Sequence, residues 1–125
     1  KQIYISTGLG GKGEKLRFYV LILANELKPF LEYQKKVIER EFPYSLEKAG
    51  CEIERLTIGE KYMELVFLIP VRADIKQALD KVINECNQYG NFLSQVFTIT
   101  NVKELSAEEV EEIIKKNGGN SQASH

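Results

Sequence analysis

The sequence predicts an α+β chain with a ferredoxin-like βαββαβ core. The core is a two-layer sandwich on an antiparallel sheet, with an extra N-terminal strand and a short C-terminal helix. Three observations carry this reading. Residues 62–70 (Tyr-Met-Glu-Leu-Val-Phe-Leu-Ile-Pro) follow the turn Gly59-Glu60-Lys61 and are apolar on both faces, as in the central arm of a hairpin. Residues 16–24 form a second such run. One helical repeat separates that run from the hairpin and another follows the hairpin, which orders the elements strand, helix, strand, strand, helix, strand. At 125 residues and 43% hydrophobic content, one domain over 1–116 is expected, with a disordered polar tail over 117–125.

Residues 3–7 alternate as a short strand, and the Gly-rich stretch 8–13 breaks regular structure before the next strand, so the two can form a hairpin. The first helix is predicted from Pro29, with Phe30, Tyr33, Gln34, Val37, Ile38 and Glu41 at helical spacing. Pro43 predicts a kink or a second short helix, and Gly50 a C-terminal stop. Residues 51–58 are the weaker arm of the hairpin. Asp74 is a candidate N-cap, and Ile75, Ala78, Leu79, Val82, Ile83 and Cys86 form one apolar stripe. A last strand spans 92–102, with Leu93, Gln95, Phe97 and Ile99 on one side. Ser106-Ala107-Glu108-Glu109 is a capping box for a helix that turns Val110, Ile113 and Ile114 inward.

Composition excludes several functions. Seventeen basic and 18 acidic residues leave a net charge of −1, which argues against a strongly basic nucleic-acid binder but not against a local patch. The longest apolar run, 65–71, is too short to span a bilayer, and no leader pattern opens the chain, so the expected location is cytoplasmic. Cys51 and Cys86 have no metal spacing and read as reduced core thiols. The one histidine, His125, is the last residue of the polar tail, so Ser/His, Cys/His and His-metal sites are not expected, nor is any cofactor. The acidic run Glu108, Glu109, Glu111 and Glu112 reads as charge at a helix start rather than a metal site. Residues 8–15 lack the strand-then-helix setting of a phosphate loop.

Two features remain as candidate sites. Lys12, Lys15 and Arg17, then Lys35, Lys36 and Arg40, are cation clusters able to track a phosphate backbone. In a two-layer sandwich the helices cover one face, so Tyr19, Tyr62, Glu64, Val66 and Leu68 would line an open, largely apolar face. A second copy of the chain is the simplest cover for it, and a base stacked on Tyr19 and Tyr62 is the alternative.

The element order, the stretch 59–70, and the strand 97–102 followed by helix 108–114 resemble the single-tyrosine HUH transposases of small insertion sequences. The resemblance implies a His pair where Tyr62 and Glu64 stand, and a nucleophilic tyrosine near Ile113. With those groups replaced, it implies a catalytically inactive relative that keeps binding to single-stranded or hairpin DNA or RNA. The expected function is therefore a non-catalytic, dimeric nucleic-acid-binding domain. The rival is a small-molecule-sensing or structural dimerisation module that uses the open sheet face.

Overall fold

The computed structural model describes residues 3–5, 14–101 and 103–123, with side chains over 14–101 and 103–118. Five strands form one sheet: β1 (Ile3–Ile5), β2 (Glu14–Ala24), β3 (Glu52–Ile58), β4 (Tyr62–Pro70) and β5 (Leu93–Thr100). All strand pairings among the described residues are antiparallel. β2 is central, with β4 along one edge from Lys15 to Leu23 and β3 outside β4. β5 and β1 take successive stretches of the other β2 edge, Tyr19–Ala24 and Glu14–Leu16. The ferredoxin-like core and the added N-terminal strand are thus present. The Gly-rich residues 8–13 lie outside the described residues, as does Val102 at the expected end of β5.

Helices α1 (Glu32–Lys48) and α2 (Ile75–Asn87) pack on one face of the sheet. Val20 and Ile22 of β2 and Met63, Leu65, Phe67 and Ile69 of β4 are buried there against Val37, Ile38, Phe42 and Leu46 of α1 and Leu79, Val82 and Ile83 of α2. The alternating strand pattern and the helical stripes therefore meet as the sequence predicts. Asp74 caps α2 by accepting the Gln77 N–H at 3.1 Å. Cys51 and Cys86 are both buried and unbonded, and burial pushes their thiols up to about 11 and about 12. They are protonated and inert near neutrality.

Two details of α1 differ from expectation. The helix starts at Glu32 and not at Pro29, because a 3-10 turn, Asn25–Leu27, precedes it and Phe30 N–H is held by Glu60 O at 2.9 Å. It also runs unbroken through Pro43. A proline inside a helix costs about 3 kcal/mol, but buried Val37, Ile38 and Phe42 precede it and buried Ser45 and Leu46 follow it. Packing on both sides outweighs the lost backbone bond. Gly50, with φ +88, follows the end of the helix as the sequence predicts.

The largest correction concerns the C-terminal helix α3 (Ala107–Ala123). Its capping box is formed: Glu109 N–H donates to Ser106 Oγ at 3.1 Å and Ser106 N–H to Glu109 Oε1 at 2.7 Å. The helix is longer than expected and continues to Ala123, through the segment read as a disordered tail; Ser124 and His125 lie outside the described residues. A side chain at Gly118 would meet Leu27, so α3 runs close to the turn that follows β2. Above all, α3 lies on the second face of the sheet. Val110, with Ile113 and Ile114, packs on Tyr19, Leu21, Leu23 and Val66. The helix thus covers the second face of the two-layer core.

Candidate nucleic-acid interface

The face expected to be open is filled. Tyr19, Val66 and Leu68 are 2%, 1% and 5% exposed within the single chain. Tyr19 and Val66 are covered by α3 and Leu68 is buried without a second copy, which removes the physical argument for a dimer through this face and for a ligand at such an interface. Base stacking on Tyr19 is closed off by the same packing. Tyr62 and Glu64 keep partial exposure at the edge of this layer.

That edge is a cleft of about 380 Å³ between β3, β4 and α3, lined by Arg55, Tyr62, Glu64, Glu104, Val110 and Glu111. It is the place where the family resemblance puts a His pair and a tyrosine. Here Tyr19 Oη donates to Glu64 Oε2 at 2.6 Å. Burial, then the bond to Glu64, raises the Tyr19 phenol far above its ordinary value, so it remains a donor. Ile113 belongs to the apolar layer beneath α3. Among the described residues no group of three His, Cys, Asp or Glu side chains is placed to hold a metal ion.

Glu104 closes one end of the cleft. Arg55 grips it through two nitrogens, at 2.6 and 3.3 Å, and Arg17 Nη2 adds a bond at 3.2 Å while its Nε binds Glu54 at 2.8 Å. This network ties the segment leading into α3 to β2 and β3. The hydrogen bond from Arg55, opposed by burial and reinforced by Arg17, holds the Glu104 carboxyl below its ordinary 4.5. A carboxyl depressed on folding adds stability above its unfolded pKa and loses it as pH falls through the folded value. The urea midpoint is therefore expected to drop as pH falls below 4.5. Glu104→Gln should flatten this acid limb, with Glu109, also depressed by the Ser106 N–H it accepts, leaving a residual slope. Urea melts on both proteins between about pH 6 and pH 2 test this; equal acid limbs would mean that Glu104 does not latch α3.

The two cation clusters are not brought together. Lys15 and Arg17 lie on β2, and both are engaged, Lys15 with Glu52 at 2.8 Å and Arg17 as above. Lys12 lies outside the described residues. Lys35, Lys36 and Arg40 lie on α1, which packs on the opposite face of the sheet from α3. Lys35 pairs with Glu32 at 3.5 Å and Arg40 with Glu41 at 3.0 Å, while Lys36 has no ion pair among the described residues.

Around Lys36 and Arg40 the structure adds residues that the sequence reading missed. Tyr33, Lys36, Arg40, Tyr44 and Lys48 fall one per turn along the exposed side of α1, a spacing legible in the sequence. Tyr89, from the turn after α2, lies under Arg40, with the guanidinium 5.2 Å from the ring centre, and Lys48 sits 4.6 Å from the Tyr44 ring. Tyr33 Oη donates to Tyr89 O at 3.1 Å and braces the pair. Tyr33, Tyr44 and Tyr89 are each about half exposed, at 48%, 61% and 50%. Alternating rings and cations suit a single strand, whose bases stack while its phosphates meet the charges. Glu32, Glu39, Glu41 and Glu47 share the helix, so charge alone would not hold a duplex there.

No protein-family model matches the sequence, and no curated protein is detectably similar to it. Solved structures are similar in fold. A candidate transposase from Deinococcus radiodurans superposes with a TM-score of 0.70 at 13% identity, over 90% of this chain and 97% of that one. A REP-associated tyrosine transposase bound to a REP hairpin gives 0.61 at 10% identity, over 86% of this chain and 67% of that one. The chain therefore shares the α+β fold of these two structures. No helix among the described residues is long and apolar enough to cross a membrane.

Proposed function

We propose that this chain is a non-catalytic, transposase-like domain that binds single-stranded or hairpin nucleic acid through the outer side of α1. The observation that carries this is the ring-and-cation stripe of Tyr33, Lys36, Arg40 and Tyr44, with Tyr89 beneath Arg40, on a fold shared with proteins described as transposases. The inactive half of the reading rests on the cleft between β4 and α3. Tyr62 and Glu64 occupy the positions of the family's His pair, Glu64 is engaged by Tyr19, and α3 has no tyrosine. A second copy is not required for this reading, because α3 already covers the face that would have needed one. A cytoplasmic location belongs to the same proposal.

The test is fluorescence anisotropy with labelled single-stranded, hairpin and duplex DNA and RNA at low and moderate salt. Single strands or hairpins are expected to bind more tightly than duplex. Each phosphate contact on a single strand adds about −0.7 to the slope of log K against log salt. The Lys36→Ala/Arg40→Ala pair should thus reduce the slope by about 1.4 and weaken binding about tenfold. An unchanged slope would move the interface off α1, and absence of binding to every form would remove the function. A covalent protein–DNA adduct or strand cleavage in the presence of magnesium or manganese would overturn the inactive half.

A further inference from the structure

The turn between β2 and α1 holds two consecutive non-glycine residues in the left-handed region, Glu26 at φ 57 and Leu27 at φ 55. Such residues persist only where the surroundings hold them. Here Ala24 N–H donates to Lys61 O at 2.8 Å, Asn25 N–H to Phe92 O at 2.8 Å, and Asn25 Nδ2 to Asn91 O at 3.0 Å. The turn is thereby pinned between the β3–β4 hairpin and the segment leading into β5. It walls a cavity of about 450 Å³ with the start of α1, within the size range that takes small ligands.

Pro29, Leu31 and Phe92 provide apolar surface, and Asn25 and Gln34 provide amides. Each amide has one end occupied: Gln34 Oε1 accepts Leu31 N–H at 2.8 Å, and Asn25 Nδ2 is given to Asn91. Gln34 Nε2 and Asn25 Oδ1 have no partner among the described residues, which leaves the cavity a donor and an acceptor. The charged groups at its edge, Glu26 and Lys28, pair with each other at 3.4 Å, so it offers little to a phosphate. A flat, neutral heterocycle with both donors and acceptors on its edge matches this set. The turn after α2 joins the cavity to the α1 stripe, since Tyr89 lies under Arg40 and Asn91 and Phe92 line the cavity.

We propose that this cavity takes one unstacked nucleobase of a bound single strand, read by Gln34 Nε2 and Asn25 Oδ1. The inference rests on the nucleic-acid reading above and adds base preference to it. Gln34→Glu is the informative variant, because it keeps the oxygen that accepts Leu31 N–H while replacing the donor end by an acceptor. Two measurements decide. In anisotropy with single-stranded homopolymers, the wild type should prefer one base, and Gln34→Glu should lose about tenfold for that base and less for the others. In ¹H–¹⁵N spectra, the side-chain amides of Gln34 and Asn25 should shift on addition of the preferred free nucleoside. Strand binding without base preference, and without those shifts, would overturn the pocket and leave the α1 interface standing. Shifts with nucleoside but no strand binding would uphold the pocket and overturn the α1 interface. Neither response would remove both.

Discussion

Val110→Asp is expected to lower the free energy of unfolding by about 3 kcal/mol and to release α3 from the sheet. Val110 is 5% exposed and sits over Tyr19, Leu21, Leu23 and Val66, with Ile113 and Ile114 beside it. A carboxylate cannot remain there without a partner, so the cheaper response is for the helix to detach. The loss is then bounded by what α3 docking contributes, a few partly buried side chains at roughly 1.5–3 kcal/mol for each one fully buried. Detachment would also expose the apolar face that α3 covers, and the variant should self-associate more than the wild type. Urea denaturation, hydrogen exchange along β2 and sedimentation velocity together check this. A variant as stable and as protected as the wild type would mean that something other than α3 covers the sheet.

Phe42→Ala should have an effect of similar or greater size, about 3–5 kcal/mol, by a different route. Phe42 is fully buried on α1, among Val37, Ile38 and Leu46. Losing the ring leaves a cavity in a layer whose strands cannot close it without breaking sheet pairing. For a domain of this size that is a large part of the roughly 5–15 kcal/mol available. The midpoint of urea unfolding measures it. Because Phe42 faces the sheet and the proposed interface faces solvent, the folded fraction should bind nucleic acid as the wild type does. A loss below about 1 kcal/mol would mean that α1 is not anchored through this residue.

The candidate site was less legible than the core, for reasons visible at particular residues. Lys36 and Arg40 could be picked out as cations, and their i, i+4 spacing placed them on one side of a helix. Tyr89 could not be joined to them, because it lies far along the chain and reaches Arg40 only when α1 and α2 pack side by side. Arg17 looked available from sequence, whereas Glu54 and Glu104, distant in sequence, occupy it. Pairing of opposite charges across strands is a property of register, which composition does not contain.

What the sequence determined by itself was local and periodic. The two-faced apolar runs of β2 and β4, the stripe of α2, the Asp74 and Ser106 caps and the stop at Gly50 each depend on neighbours a few residues away, and each stands in the structure. Only the tertiary structure decided where α3 goes. Its inward residues Val110, Ile113 and Ile114 would suit either face of the sheet or a partner. The second face of β2 and β4 was equally ready for a helix, a base or another copy. That choice turns on the grip of Arg17 and Arg55 on Glu104, which fixes the segment 103–106 that leads into α3. Hydrophobic burial is non-directional, so the pattern says that a face must be covered while the chain's connections determine by what.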